Sequence, residues 1–304
     1  MVKIMVVIYT FLLWVLLGCE HTMVTKNETP IVVKDSLIFR SAVSLGVISE
    51  KEMDEISGIT VSNVYTDHIW CHNDSGDKAR LFLINQKAEL VHTVYIENVK
   101  NRDWEDMAIY KNPASGRSMI YIADIGDNKA KYDYSQIHII EEPNLNLDTK
   151  ETTVSVSQTI TYTYPEGPRD AETLMIDPAN GDIYIISKRE NQVGLFKIPF
   201  PYPNEKIVAK KITDLPYTYI VAGDIASDRS AIVIKDYNSV YHFSLVKDQK
   251  IEDALLEKPY LPPYVREPQG ESICWSMDSK SFFTLSEESP GKIHPVLYRY
   301  DKGR

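Results

Sequence analysis

Cysteine is scarce in this chain: three in 304 residues, with seven histidines too scattered to form any Cys/His zinc spacing. Basic clusters are missing as well. No Lys/Arg run breaks an acidic balance of 43 Asp+Glu against 33 Lys+Arg, a formal net charge of −10. Nucleic acid is therefore not expected as a partner. Such a surface also repels anionic lipid, so any membrane link has to come from an anchor. Long amphipathic helices are absent between the candidate strands, which argues against a βαβ fold with its helical crossovers. There is no Gly-x-Ser-x-Gly elbow, and the run 124–128 is too short for an EF-hand loop.

The first residues carry one positive charge, Lys3, then an apolar run from Val6 to Leu17 that is short for a membrane-spanning helix and has the layout of a secretory signal. Its end, Leu16-Leu17-Gly18-Cys19, resembles the lipobox of bacterial lipoproteins, although Leu17 is bulkier than usual at that place. The resemblance implies cleavage after residue 18 and lipid on Cys19, and hence a bacterial envelope protein held at the outer membrane or cell surface. The alternative is an ordinary cleaved signal with a coincidental cysteine. Residues 19–34 are polar and patternless and read as a flexible tether, leaving 35–304 as the folded domain.

Against those absences stands a repeat. Ile56-Ser57-Gly58-Ile59-Thr60, Trp104-Glu105-Asp106-Met107-Ala108, Ala171-Glu172-Thr173-Leu174-Met175, Ala222-Gly223-Asp224-Ile225-Ala226 and Gly270-Glu271-Ser272-Ile273-Cys274 are five versions of one phrase. Aligning Ser57, Glu105, Glu172, Gly223 and Glu271 gives steps of 48, 67, 51 and 48 residues. A period near 50 with strand-rich content predicts the radial sheets of an all-β, five-bladed β-propeller. The last unit lacks a fourth strand and the stretch 36–43 lacks a blade, so an N-terminal strand is expected to close the ring. The 67-residue step leaves a six-bladed alternative open. Cys71 and Cys274 fall in blades that would be neighbours, as a disulfide or as two buried thiols.

In a propeller the start of each first strand and the loop after each second strand gather at one rim. The first set contains Ser57, Glu105, Glu172 and Glu271. Carboxylates facing one narrow channel repel unless a cation or protons intervene, and an oxygen-only donor set suits Ca²⁺. Water-filled propeller channels with each Glu bonded to backbone are the competing account. The second set contains Asp74, Asp124, Asp127, Asn128, Lys188, Arg189, Asp236 and Glu287. Turn chemistry explains much of it, but mixed acids and bases on one rim also suit a polar or phosphorylated ligand.

The phrases around Ser57, Glu105 and Glu172, with Asn73-Asp74-Ser75-Gly76 and Tyr121-Ile122-Ala123-Asp124-Ile125-Gly126-Asp127-Asn128, resemble secreted bacterial propellers of the SdiA-regulated and phytase-like esterase groups. A more distant resemblance is to the calcium-activated apyrases, which set Ser or Glu at inner-strand starts around a central Ca²⁺. Gly223 departs from that pattern, offering only its backbone. Together these readings point to an envelope lipoprotein whose propeller binds a polar small molecule or a protein partner, with calcium in the ring. The second expectation is a calcium-dependent phosphoester or carboxylester hydrolase at the rim. No compact nucleophile–base pair favours the latter.

Overall fold

Each repeat phrase opens the innermost strand of a small antiparallel sheet. The computed structural model describes residues 38–288 and 293–303. After β1 (Val43–Val47), blade 1 is built from β2 (Ile56–Val61), β3 (His68–Asn73), β4 (Arg80–Asn85) and β5 (Leu90–Glu97). Blade 2 follows with β6 (Trp104–Lys111), β7 (Ser118–Asp124) and β8 (Ser135–Glu141); after β9 (Glu151–Ser155), β10 (Gln158–Thr163) extends it. Blade 3 holds β11 (Ala171–Ile176), β12 (Ile183–Ser187), β13 (Val193–Ile198) and, after the two-residue β14 (Ile207–Val208), β15 (Lys210–Leu215). Blade 4 is β16 (Ala222–Ile225), β17 (Ala231–Lys235) and β18 (Val240–Ser244), followed by one helical turn, α1 (Ile251–Ala254). Blade 5 is β19 (Ser272–Trp275), β20 (Ser281–Leu285) and β21 (Val296–Asp301), with β1 as its outermost strand.

The inner strands β2, β6, β11, β16 and β19 touch in that order, and β19 returns to β2. The chain is thus a five-bladed β-propeller. Residues such as Ile183–Ser187 are buried along their whole length, because a blade in a closed ring is covered on both faces. At the periphery β9 alternates between exposed and half-buried positions, as a strand with one wet face should. Five hydrophobic clusters fill the five gaps between blades. Cys71 and Cys274 lie together in the cluster joining blades 5 and 1, as two free buried thiols.

Closure occurs at the N terminus but further along than the stretch 36–43. Val43–Val47 runs antiparallel to β21, while Phe39 bridges Lys302 and Arg40 N–H donates to the Asp301 carbonyl at 2.8 Å. Phe39 is fully buried against Phe282 and Trp275, so an aromatic anchor as well as a ladder secures the join. The leader and tether, with Cys19, lie outside the described residues.

The 67-residue step hides no sixth blade. Thr153 to Tyr164, which reads as one strand, breaks near residue 157. Its first part, β9, pairs in parallel with β5 on the edge of blade 1, and its second, β10, pairs with β8. In the same way β14 pairs in parallel with β10, so a piece of blade 3's chain covers the edge of blade 2. Blade 4 has only three strands, with Tyr260 bridging His242 at its outer edge.

Mid-channel, two aspartates clip neighbouring inner strands. Asp106 accepts the amide N–H groups of Met107 and, across to blade 3, Leu174, at 2.8 and 2.9 Å. Asp224 accepts those of Ile225 and, across to blade 5, Trp275, both at 2.8 Å.

Candidate functional site

Three blades begin with a β-bulge at the repeat phrase. The register slips between Ile56 and Gly58, between Trp104 and Asp106, and between Ala171 and Thr173. The skipped residues are Ser57, Glu105 and Glu172. A bulge takes a residue out of the ladder and re-aims its side chain, which is how one phrase delivers side chains to the channel mouth. Blades 4 and 5 pair without a slip, from Ala222 and Ser272. Glu271 stands just before its strand, and Gly223 contributes no side chain.

Glu105 is the centre of what gathers there. Its carboxylate belongs to two groups whose oxygens lie within 4.8 Å of one another: one with Asp74 and Asp103, the other with Asp170 and Glu172. The second group has cations of its own. Lys188 Nζ pairs with Glu172 and sits 3.9 Å from Glu271, while Arg189 Nε pairs with Asp170 at 2.5 Å. Asp170 also accepts the Asp127 amide N–H at 2.8 Å. One oxygen of buried Glu172, Oε2, has no partner. Arg102 is held by Asp124 at 3.2 Å. Among the described residues no cation pairs with Asp74, Asp103 or Glu105.

Gly126 lets these acids pack directly against the backbone. A Cβ at that position would overlap Glu105 Oε1 and lie 2.7 Å from Asp103 Cγ, in the space between the two carboxylates. Ser57, the fourth residue of the expected inner set, donates its hydroxyl to the backbone carbonyls of Trp104 and Glu105 and so braces the bulge beside it. Trp104 is fully buried between blades 1 and 2, with its ring edge-on to His72.

Crowding sets the protonation. Burial, then the Glu172 and Asp74 charges, hold the Glu105 carboxyl well above the ordinary range. Burial dominates at Glu172 too, and its ion pair with Lys188 opposes the rise without cancelling it. Asp74 is pushed up to about 7 by burial, with Asp103 and Glu271 adding. Asp103 is raised by burial and by Asp170 and Asp124. Across the mouth Glu287 is pushed up to about 9 by burial and by Glu271. Burial works against charge on Lys188, yet Glu172 and Glu271 hold its pKa above the ordinary lysine value.

The other expected rim residues divide. Lys188 and Glu287 are buried beside the inner acids, and Arg189 stands partly exposed next to them. Asp236 serves its own turn, accepting the Asn238 and Ser239 amides at 2.7 Å. Asn128 is exposed. Asp127 caps its loop by accepting the Tyr132 amide N–H at 2.7 Å, and Asp124 turns into blade 2 toward Arg102 and His138. Sequence reasoning missed Asp103 and Asp170. A signal was present: Asp103-Trp104-Glu105 and Asp170-Ala171-Glu172 share an acid-x-acid spacing at equivalent positions.

No model of a known protein family matches the chain, and no curated protein matches it. Among solved structures, the chain is similar to the PQQ-bound form of aldose sugar dehydrogenase from Streptomyces coelicolor. The TM-score is 0.48 with 7% identity over 86% of this chain and 98% of that one.

Proposed function

We propose that the propeller is a calcium-dependent binding domain, carried by an envelope lipoprotein, whose channel mouth takes a polar ligand. The observation that carries this reading is the Asp74–Asp103–Glu105 cluster: three carboxylates without a paired cation, two of them packed against the bare backbone of Gly126. A hard divalent ion bound by oxygen atoms suits that donor set, and it would relieve the repulsion that holds these groups protonated. The reading moves the ion off the channel axis. Of Ser57, Glu105, Glu172 and Glu271, it keeps Glu105, because Lys188 already serves Glu172 and Glu271. Arg189, partly exposed beside Asp170, is the cation nearest the mouth that a polar ligand could meet. The resemblance to secreted bacterial propellers and to calcium-activated apyrases supports an exported setting with calcium.

Calorimetric titration of the purified protein with calcium chloride is the test. One ion per chain is expected, with a melting shift that chelation reverses and that Glu105→Gln abolishes. No heat and no shift would remove the metal. Turnover of nucleotides, phytate or p-nitrophenyl esters that depends on Glu105 would replace the binding role with the hydrolase reading. The anchor has its own check: metabolic labelling with palmitate should be lost in Cys19→Ser.

A further inference from the structure

Blade 2 breaks a pattern that three other blades keep. Read across the strands, Ile59–Cys71–Phe82 in blade 1 and Leu174–Ile185–Phe196 in blade 3 are equivalent rows, each ending in a buried phenylalanine. Blade 4 has Ile225–Ile232–Phe243. In blade 2 the row is Met107–Ile122–His138. Each phenylalanine packs toward the preceding blade. His138 points the same way, is 3% exposed, and leaves its Nε2 3.8 Å from the Asp124 carboxylate, too far for a hydrogen bond and with no other partner. Replacing an apolar ring by a buried imidazole with an unmet nitrogen costs stability unless something satisfies it.

The imidazole is part of a polar face. The next row on the same side is Asp124–Gln136–Thr161, and Thr159 stands beside His138, bonded to its Nδ1 at 3.1 Å. The intervening row on the other side, Ala123–Ile137–Ile160, is apolar and fully buried, as a blade interior should be. These polar groups line a cleft of about 760 Å³ between blade 2 and the β5–β6 loop. Half-exposed Tyr134 lines it too, offering an aromatic surface. Arg102 is already engaged: it donates to the carbonyls of Tyr134 and Asp124 at 3.1 Å and faces the Asp124 carboxylate.

We propose that this cleft is a saccharide-binding site, with His138, Gln136 and Thr161 as its hydrogen-bonding groups and Tyr134 as its apolar wall. Hydroxyls and amides both donate and accept, which suits the vicinal hydroxyls of a sugar. The buried Asp124 carboxylate accepts from a hydroxyl and repels an anion. The volume falls in the range of small-molecule sites. The site adjoins the acidic pocket, since Asp124 accepts the Asp103 amide N–H at 3.2 Å, but shares no side chain with it.

A glycan array of neutral and acidic oligosaccharides, probed with the purified full chain, is the experiment. Binding to neutral glycans is expected, weakened at least tenfold by His138→Phe and by Thr161→Val, and unchanged by chelation. His138→Phe restores the residue type of three sister blades, so it should fold, and its melting curve verifies this. Thr161→Val gives an independent reading should it not. Absence of any bound neutral glycan, or binding that survives both substitutions, overturns the proposal. So does a preference for acidic glycans that is lost on replacing the cleft-lining cation, Lys100→Ala, which would make the cleft an anion site.

Discussion

Two sets of acids occupy the same channel in opposite circumstances. Mid-channel, Asp106 and Asp224 each accept two backbone N–H groups, one of them from the next inner strand. At the mouth, Asp74, Asp103 and Glu105 crowd one another without a paired cation among the described residues. Both sets are wholly or partly buried, and burial raises carboxyls in both: Asp224 and Asp74 each stand at about 7. Burial and raised pKa therefore do not distinguish a structural acid from a functional one. Satisfaction does. A carboxylate whose oxygens are spent on amides holds blades together, whereas a cluster with unspent oxygens is available to a ligand.

The comparison can be broken by substitution. The largest effect belongs to the cation that separates the two sides of the mouth. Lys188→Met should strand Glu172 as an unpaired buried acid and cost about 3–5 kcal/mol in urea unfolding above neutral pH. Less loss is expected at mildly acidic pH, where the carboxyl takes up a proton. Next, Asp106→Ala should cost about 3 kcal/mol, since two inner-strand amides lose their acceptor. If instead it matched Glu105→Gln in leaving stability intact, the structural assignment of the mid-channel acids would fail. Glu105→Gln itself should leave urea stability unchanged or slightly raised, while calcium affinity falls at least tenfold, about 1.4 kcal/mol.

A milder test uses pH. Asp74 at about 7 and Glu287 at about 9 hold their protons more tightly folded than unfolded. Their contribution to stability is thus full below about pH 4 and is lost as pH rises through those values. Without calcium, the melting temperature should decline from acid to alkaline pH. Saturating calcium should recover the share due to Asp74 but not the shares due to Asp224 and Glu287. Calcium affinity should climb with pH through about 7 as the pocket loses its protons. The smallest perturbation is Gly126→Ala. Here the melting curve without metal should shift by about 1 kcal/mol or less, because the flexible Glu105 side chain can yield, while the calcium response is lost.

The repeat made the ring legible, because five blades require five inner strands and the phrase marks each one. Strand exchange was not legible. The residues of β9 have the same β-branched composition whether they extend blade 2 or cross to blade 1, and composition says nothing about which edge a strand joins. The closing strand was anticipated, but Val43–Val47 lay beyond the expected stretch, which instead supplies Phe39 as an anchor. At the mouth, Glu105 and Glu172 were readable from the alignment of phrases. Asp103 and Asp170 left a trace in their acid-x-acid spacing to Glu105 and Glu172, but what brings each beside its partner is the bulge at Glu105 and at Glu172, a backbone irregularity that no residue type announces. His138 was hidden for a different reason: one histidine among seven scattered ones becomes unusual only beside Phe82, Phe196 and Phe243 in the same register.

The parallel straps β9 and β14 bear on how the molecule can be cut and rejoined. A break between blades 1 and 2, or between 2 and 3, separates a strap from the sheet whose edge it covers, so neither half carries a finished outer margin. Between blades 3 and 4, around residues 216–221, no strap crosses. Co-expressed halves divided there should reconstitute the ring more readily than halves divided at the earlier junctions, and circularly permuted versions opened there should tolerate the new ends.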